Sequence, residues 1–157
     1  VLTVSCDDAS VEYSISQLAA DVTCKAAYAS CSYYGNMMSM NANYQLNIAL
    51  KDTSNNPDGN ILYSLDLYRK EFMQPGDAPV IPAGTYILGH DNTTDDYVIY
   101  APNSSYSNTN GSNHEFDIAI LTVSDKSLVF RASTKDGRTH LATFYGDYNF
   151  VDMTKAN

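Results

Sequence analysis

The sequence predicts an all-β fold: a single antiparallel meander of eight or nine strands that forms a barrel-like, lipocalin-like domain or packs as a sandwich. The clearest signal is in the last third of the chain, where Phe116–Val123, Leu128–Ser133 and Thr139–Tyr145 alternate apolar and polar residues. The connections 124–127 and 135–138 are rich in turn-forming residues and too short for a parallel crossover. Short strands at this regular spacing are typical of barrels and sandwiches.

The N-terminal part predicts two short strands ahead of the main sheet. Val1–Cys6 reads as one strand, and after a turn the alternation of Val11, Tyr13 and Ile15 reads as a second. Residues 1–16 are therefore either an N-terminal extension or the first hairpin of one domain that spans residues 1–157.

The segment Asp21–Tyr34 mixes small residues with tyrosine, and its alternation places the even-numbered residues of Val22–Tyr28 on one face. Cys24 and Cys31 lie seven residues apart, which puts them on opposite faces of a continuous strand. A bridge between them requires a bulge or bend, and small buried thiols are the simpler interpretation.

Four further strands are expected before the terminal meander. They are Asn43–Leu50, Ile61–Tyr68, Gly84–Gly89 and Tyr97–Tyr100. Between them, Arg69–Pro82 is a proline-rich loop, Asp91–Asp96 reads as a hairpin turn, and Pro102–Asn113 is a long loop rich in Asn and Ser.

The expected interior or packed face is formed by apolar residues from four of the predicted strands. They are Leu46, Ile48, Leu65, Leu67, Ile118, Ile120, Val129 and Phe130. Because Val129 and Phe130 are neighbours in one strand, only one of them points inward unless the other face is also covered.

Charge and composition limit the classes of function. The net charge is −9, with nine basic against 18 acidic residues, which argues against nucleic acid as a partner and against a polybasic membrane-surface role. Tyrosine supplies 13 aromatic residues and tryptophan none, and tyrosine suits half-buried strands and contact surfaces. No apolar run approaches the roughly 20 residues of a membrane-spanning helix.

Neither a catalytic signature nor a cofactor or metal motif is evident. His90, His114 and His140 are far apart, each near a strand end, without the close partner of a metal pair. The stretches Asp52–Asn60 and Asp91–Asp96 carry oxygen ligands of the kind that Ca²⁺ prefers, but turn formation explains both. We therefore expect a protein that is not an enzyme and needs no cofactor.

Six short motifs carry a resemblance to known proteins. They are Ile81–Tyr86, Tyr33–Gly35, Asn43–Leu46, Leu65–Tyr68, Asp136–Arg138 and Phe144–Gly146. Together they resemble an uncharacterised family of secreted or surface-exposed β-domains, often lipoproteins, from Bacteroidales-type bacteria. The resemblance implies a location at the extracellular face of the outer membrane or in the periplasm, and it implies no reaction.

The segment Leu2–Cys6, followed by two aspartates, looks like the end of a lipoprotein signal. That similarity implies that Cys6 is acylated, so that a lipid anchor is the contact with a membrane. The alternative is that Val1–Ser5 is a genuine first strand.

Two hypotheses for function remain. The first is a non-catalytic extracellular or cell-surface binding module for a glycan or another small polar ligand, because abundant tyrosine is combined with long polar loops on a rigid β scaffold. The candidate ligand-binding residues are Tyr33, Tyr34, Tyr68 and Tyr106. The second is a structural or protein-interaction domain of a larger surface assembly, with a surface protein as its partner.

Overall fold

The computed structural model describes residues 20–50, 59–109 and 113–155, and in these ranges the chain is all-β. Its strands are β1 (Val22–Lys25), β2 (Tyr28–Gly35), β3 (Ala42–Leu50), β4 (Ile61–Arg69), β5 (Gly84–Gly89), β6 (Val98–Tyr100), β7 (Ser105–Asn108), β8 (Asn113–His114), β9 (Phe116–Ser124), β10 (Ser127–Thr134), β11 (Thr139–Tyr145) and β12 (Asn149–Asp152). Single 3-10 turns occupy Ala101–Asn103 and Met153–Lys155. The predictions for residues 1–16, including the anchor at Cys6, lie outside the described residues.

The terminal meander forms as predicted. β9 and β10 pair antiparallel around a tight turn in which Lys126 has φ 55°, and β10 pairs antiparallel with β11. Every second residue of β10 is buried, because successive side chains of a strand point to opposite faces. Phe130 points into the core and Val129 is half-buried on the other face.

The sheet as a whole is mixed, so the prediction of one antiparallel meander was wrong. Three neighbouring pairs run parallel: β1 with β11, β2 with β12, and β5 with β6. The strands follow the order β1-β11-β10-β9-β5-β6-β4-β3-β2-β12, with β7 beside β4 and β8 beside β7.

The expected hairpin between β5 and β6 does not form. Residues 90–97 return the chain to the end of the sheet at which β5 begins, so that β6 runs parallel to β5. Asn41 Nδ2 donates to the carbonyl oxygen of Asp95 at 3.1 Å, and Ser39 Oγ donates to the carbonyl oxygen of Asn92 at 2.8 Å. The connection is thus tied to the segment before β3, and Val98 pairs with Ile87 in a parallel register.

β1 and β12 stand at opposite ends of the strand order, but the polypeptide connects β1 directly to β2 and β11 directly to β12. β1 and β2 are successive parts of residues 22–35, and β11 and β12 are successive parts of residues 139–152. These segments run side by side, from Val22 opposite His140 to Tyr33 opposite Asp152. The sheet therefore curls into a half-barrel around one core.

Most of the expected core residues are buried. Leu46, Ile48, Leu65, Leu67 and Phe130 belong to the central cluster. In β9 the prediction chose the wrong face, because Ala119, Leu121 and Val123 fill the core instead. Ile120 is buried outside the central cluster, and Ile118 is half-buried.

Cys24 and Cys31 are both buried, and within the described residues neither forms a disulfide. The odd spacing is accommodated because the strand is interrupted at residues 26 and 27, between β1 and β2. Tyr28 is consequently exposed and does not share a face with Cys24. Burial raises the pKa of the Cys24 thiol to about 11, which disfavours the reactive thiolate.

Candidate functional site

The loop of residues 70–83 lies at the end of the half-barrel where β4 finishes and β5 begins, and we call this the loop end. Two adjoining cavities there share the wall residues Phe72, Met73 and Asp77. The outer cavity has a volume of about 610 Å³, and the inner cavity, which reaches the interior beside Tyr44, has a volume of about 270 Å³.

The motif Ile81–Tyr86 holds this loop in place. The Tyr86 hydroxyl donates to the carbonyl oxygen of Pro82 at 2.7 Å, and the backbone N–H of Ile81 donates to the Tyr148 hydroxyl at 2.7 Å. Gly84 has φ +147°, and a Cβ at this position would lie 2.5 Å from Cε1 of Tyr97. Glycine is therefore required both by the backbone and by the neighbouring ring.

The outer cavity combines polar groups with apolar surface. The Tyr33 hydroxyl accepts a hydrogen bond from the backbone N–H of Met73 at 3.0 Å, which connects β2 to the loop. Burial raises the pKa of Tyr33, and the Met73 N–H partly offsets that rise. The remaining polar side chains that line this cavity are those of Asn36, Gln74, Asp77, Asp152, Thr154 and Lys155.

The inner cavity contains the guanidinium of Arg69, whose side chain is 8% exposed. Nε donates to Asp96 Oδ1 at 2.9 Å, and the guanidinium carbon lies 4.0 Å from the centre of the Tyr97 ring. Burial lowers the pKa of Arg69, but the hydrogen bond and charge of Asp96 outweigh burial, so the pKa is raised. Nη2 lies 3.6 Å from Oε2 of Glu71.

A tight turn positions Asp77, an acidic residue that lines both cavities. The Asp77 carboxylate accepts from the backbone N–H of Gln74 at 2.7 Å, and the Asp77 N–H donates back to the carbonyl oxygen of Gln74 at 3.0 Å. Gly76, within this turn, has φ 90°, a conformation that glycine adopts without strain.

The structure does not bring the four predicted tyrosines together. Tyr33 lines the outer cavity, while Tyr34 lies on the opposite face of β2 and is half-buried. Tyr68 is buried on the outer face of β4, with its ring centre 5.8 Å from that of Tyr100. Tyr106 is fully buried at the other end of the half-barrel, against Tyr63.

Sequence reasoning missed Arg69 and Tyr44. The available signal was the alternation of β4, because Arg69 continues the series of inward residues that runs through Tyr63, Leu65 and Leu67. An arginine at an inward position at the end of an apolar strand is uncommon and indicates a paired or ligand-binding group.

A buried polar cluster covers the outer face of β3 and β4. Asn43 Nδ2 donates to Asp66 Oδ1 at 2.5 Å, and Asn103 Nδ2 donates to Asp66 Oδ2 at 3.1 Å. Burial raises the pKa of Asp66, although these amide hydrogen bonds oppose the rise. Among the described residues, Asn43 Oδ1 is a buried oxygen without a hydrogen-bond partner.

His140 lies near the start of β11, as predicted, and it is buried at the end of the half-barrel opposite the loop end. We call this the histidine end. His140 Nδ1 lies 2.8 Å from the Tyr63 hydroxyl, and its Nε2 lies 3.1 Å from Thr134 Oγ1. Thr134 Oγ1 donates to Asp136, so it accepts from Nε2, and Nδ1 accepts the Tyr63 proton. His114 lies beside these hydrogen-bonded residues, with its Nδ1 3.6 Å from Asp136 Oδ2. It also lines an open groove of about 630 Å³.

The carboxylates of Asp91–Asp96 serve separate local roles. Asp91 accepts from the Thr93 N–H and from the hydroxyls of Thr93 and Thr94, and hydrogen bonding, led by that N–H, lowers its pKa to about 2. Asp96 binds Arg69. In the described parts of the chain no three His, Cys, Asp or Glu side chains converge as metal ligands.

No protein-family model, curated protein or solved structure matches this chain. No helix among the described residues has the length and apolar character needed to cross a membrane.

Proposed function

We propose that the protein is a non-catalytic binding module for a glycan or another small polar ligand, and that the ligand occupies the outer cavity at the loop end. The observation that carries this proposal is the cavity itself. Its volume of about 610 Å³ is within the range of small-molecule sites. The lining of this cavity combines amide, carboxylate and ammonium groups with apolar surface from Phe72 and Pro75.

This composition suits a sugar. Side-chain amides donate hydrogen bonds to sugar hydroxyls and accept from them, and carboxylates accept from them. Apolar surface covers the C–H faces of a sugar ring. The Tyr33–Met73 hydrogen bond holds one wall, so the site is largely preformed and loses little conformational entropy on binding.

The proposal includes the cellular location. The module acts outside the cytoplasm, at the extracellular face of the outer membrane or in the periplasm, with Cys6 as the residue that a lipid would modify. Support comes from the sequence motifs and from the composition, in which charged residues make up 17% of the chain. Mass spectrometry of the protein purified from its native membrane tests the anchor at Cys6.

Titration calorimetry against a panel of neutral mono- and disaccharides tests the binding function. We expect saturable binding that Asn36→Ala and Gln74→Ala each weaken about tenfold, the effect of one lost hydrogen bond of about 1.4 kcal/mol. The matched control is Asn113→Ala, an exposed asparagine in the groove at the histidine end, which should leave affinity unchanged. If Asn113→Ala abolishes binding and the other two variants do not, the ligand binds in that groove and the proposed site is wrong.

One observation favours a second function, that of a protein-interaction domain in a surface assembly. Met37, Met38 and Met40 are 60%, 52% and 80% exposed in the segment between β2 and β3. Methionine is an adaptable contact residue in protein interfaces. If this function is correct, serine at all three positions abolishes binding of a surface partner and leaves sugar titrations unchanged.

A further inference from the structure

The Arg69 side chain lines the inner cavity and is held by Asp96 and Tyr97. Its Nε is bound to Asp96, and the Tyr97 ring covers one face of the guanidinium at 4.0 Å. These contacts orient the planar group before any ligand arrives, which reduces the entropy cost of binding.

The contact on the cavity side is weak. Nη2 and Glu71 Oε2 are 3.6 Å apart, beyond the usual distance of a hydrogen bond. The Glu71 side chain is 81% exposed, and exposed ion pairs contribute little to stability. A ligand carboxylate that forms two short hydrogen bonds to the guanidinium therefore displaces Glu71 at small cost.

The rest of the cavity limits the ligand further. A volume of about 270 Å³ is the room of roughly nine water molecules, enough for one sugar ring. Phe72, Met73, Val80 and Pro82 supply apolar walls, whereas the Tyr44 hydroxyl and the Asp77 carboxylate supply polar ones. Asp77 disfavours a simple fatty acid and favours a carboxylate that also carries hydroxyl donors.

We propose that the inner cavity binds the carboxylate of an acidic sugar, a hexuronate, through Arg69, with Asp77 accepting from the sugar hydroxyls. This inference rests on the proposed glycan-binding function and names the sugar class. The ring of the hexuronate packs on Phe72, and a longer glycan continues into the outer cavity, which shares that wall.

Titration with glucuronate, glucuronamide and glucose at one ionic strength tests the inference, because the first two differ by a single charged group. We expect glucuronate to bind at least about tenfold more tightly than glucuronamide, as one charge-assisted pair provides. Equal affinities for the two compounds overturn the inference.

Three variants test whether the preference for glucuronate over glucuronamide depends on Arg69. Glu71→Gln removes the competing carboxylate and should tighten glucuronate binding several-fold without changing glucuronamide binding. Arg69→Lys should reduce glucuronate affinity about tenfold, because lysine lacks the planar fork. Lys135→Gln, an exposed cation at the histidine end, is the matched control and should change affinity less than about twofold.

The outcomes separate this inference from the broader proposal. If Arg69→Lys does not fold, the comparison of glucuronate with glucuronamide in the parent protein still decides, since equal affinities for the two overturn the inference. If neutral sugars bind in a Gln74-dependent manner but glucuronate has no advantage, the acidic-sugar inference is wrong and the binding function stands. If no sugar of either kind binds, both are wrong.

Discussion

At the scale of single residues, polar side chains inside the half-barrel are held by partners far away in sequence. His140 hydrogen-bonds to Tyr63, 77 residues earlier in the chain. Arg69 and Asp96 are separated by 27 residues. Burial of such groups is tolerated because each finds a partner, and loss of one partner leaves a desolvated polar atom that water does not reach.

We predict that His140→Ala lowers the free energy of unfolding by about 2–4 kcal/mol, because it removes two buried hydrogen bonds and leaves a cavity among aromatic rings. Urea denaturation followed by circular dichroism measures the change. His90→Ala, at an exposed position, is the control and should stay within about 0.5 kcal/mol of the parent protein. Equal stability of the two variants would show that the His140 network contributes nothing.

At the scale of elements, the entrance to β5 determines how the loop end is built. Gly84 lies directly beneath the Tyr97 ring, and the same ring covers Arg69. The start of β5 and the inner cavity are therefore coupled through the Tyr97 side chain. A substitution at Gly84 that displaces this ring also alters the position of Arg69.

Gly84→Ala is expected to destabilise the protein by about 2–4 kcal/mol, since it combines a disfavoured backbone conformation with a clash against Tyr97. Gly137→Ala is the matched control: Gly137 also has a positive φ, of 89°, but no described atom lies within 4 Å of the added Cβ, so it reports backbone strain alone. The difference between the two melting temperatures measures the clash. If the two variants melt together, Tyr97 does not pack on Gly84 in solution.

At the scale of the whole molecule, several carboxylates make stability depend on acidity. The Thr134 hydroxyl holds the pKa of Asp136 below its ordinary value. Burial raises the pKa of Asp96, but hydrogen bonds led by the Lys70 N–H outweigh burial, so its pKa is also lowered. Asp66 acts in the opposite direction, because burial raises its pKa.

We predict that acid weakens the fold in the range below the ordinary Asp value of 3.8. A carboxyl with a lowered folded pKa contributes stability that is complete well above its unfolded pKa and is lost as the pH falls through the folded value, about 2 for Asp91. Urea midpoints measured between about pH 6 and pH 2 should fall steeply below about pH 4. Asp136→Asn should flatten part of that fall, and a midpoint that is constant with pH would contradict the prediction.

The strands and hairpins of the last third could be predicted because their signals are local. Alternation selects the buried face, as it does for Phe130 over Val129, and two-residue turns permit only antiparallel neighbours. In β9 local alternation was ambiguous, since both faces carry apolar residues and both Leu121 and Ile120 are buried. Here only the packing of the curled sheet decides which face lines the core.

The sequence by itself determined that this protein is all-β, where most of its strands lie, and that a proline-rich loop follows β4. Only the tertiary structure decided that residues 22–35 run parallel to residues 139–152, that Tyr33 meets the loop at Met73, and that Arg69 enters a cavity. The physical reason is that alternation and turn chemistry act over a few residues, whereas these contacts join distant segments that come together only when the sheet curls around its core.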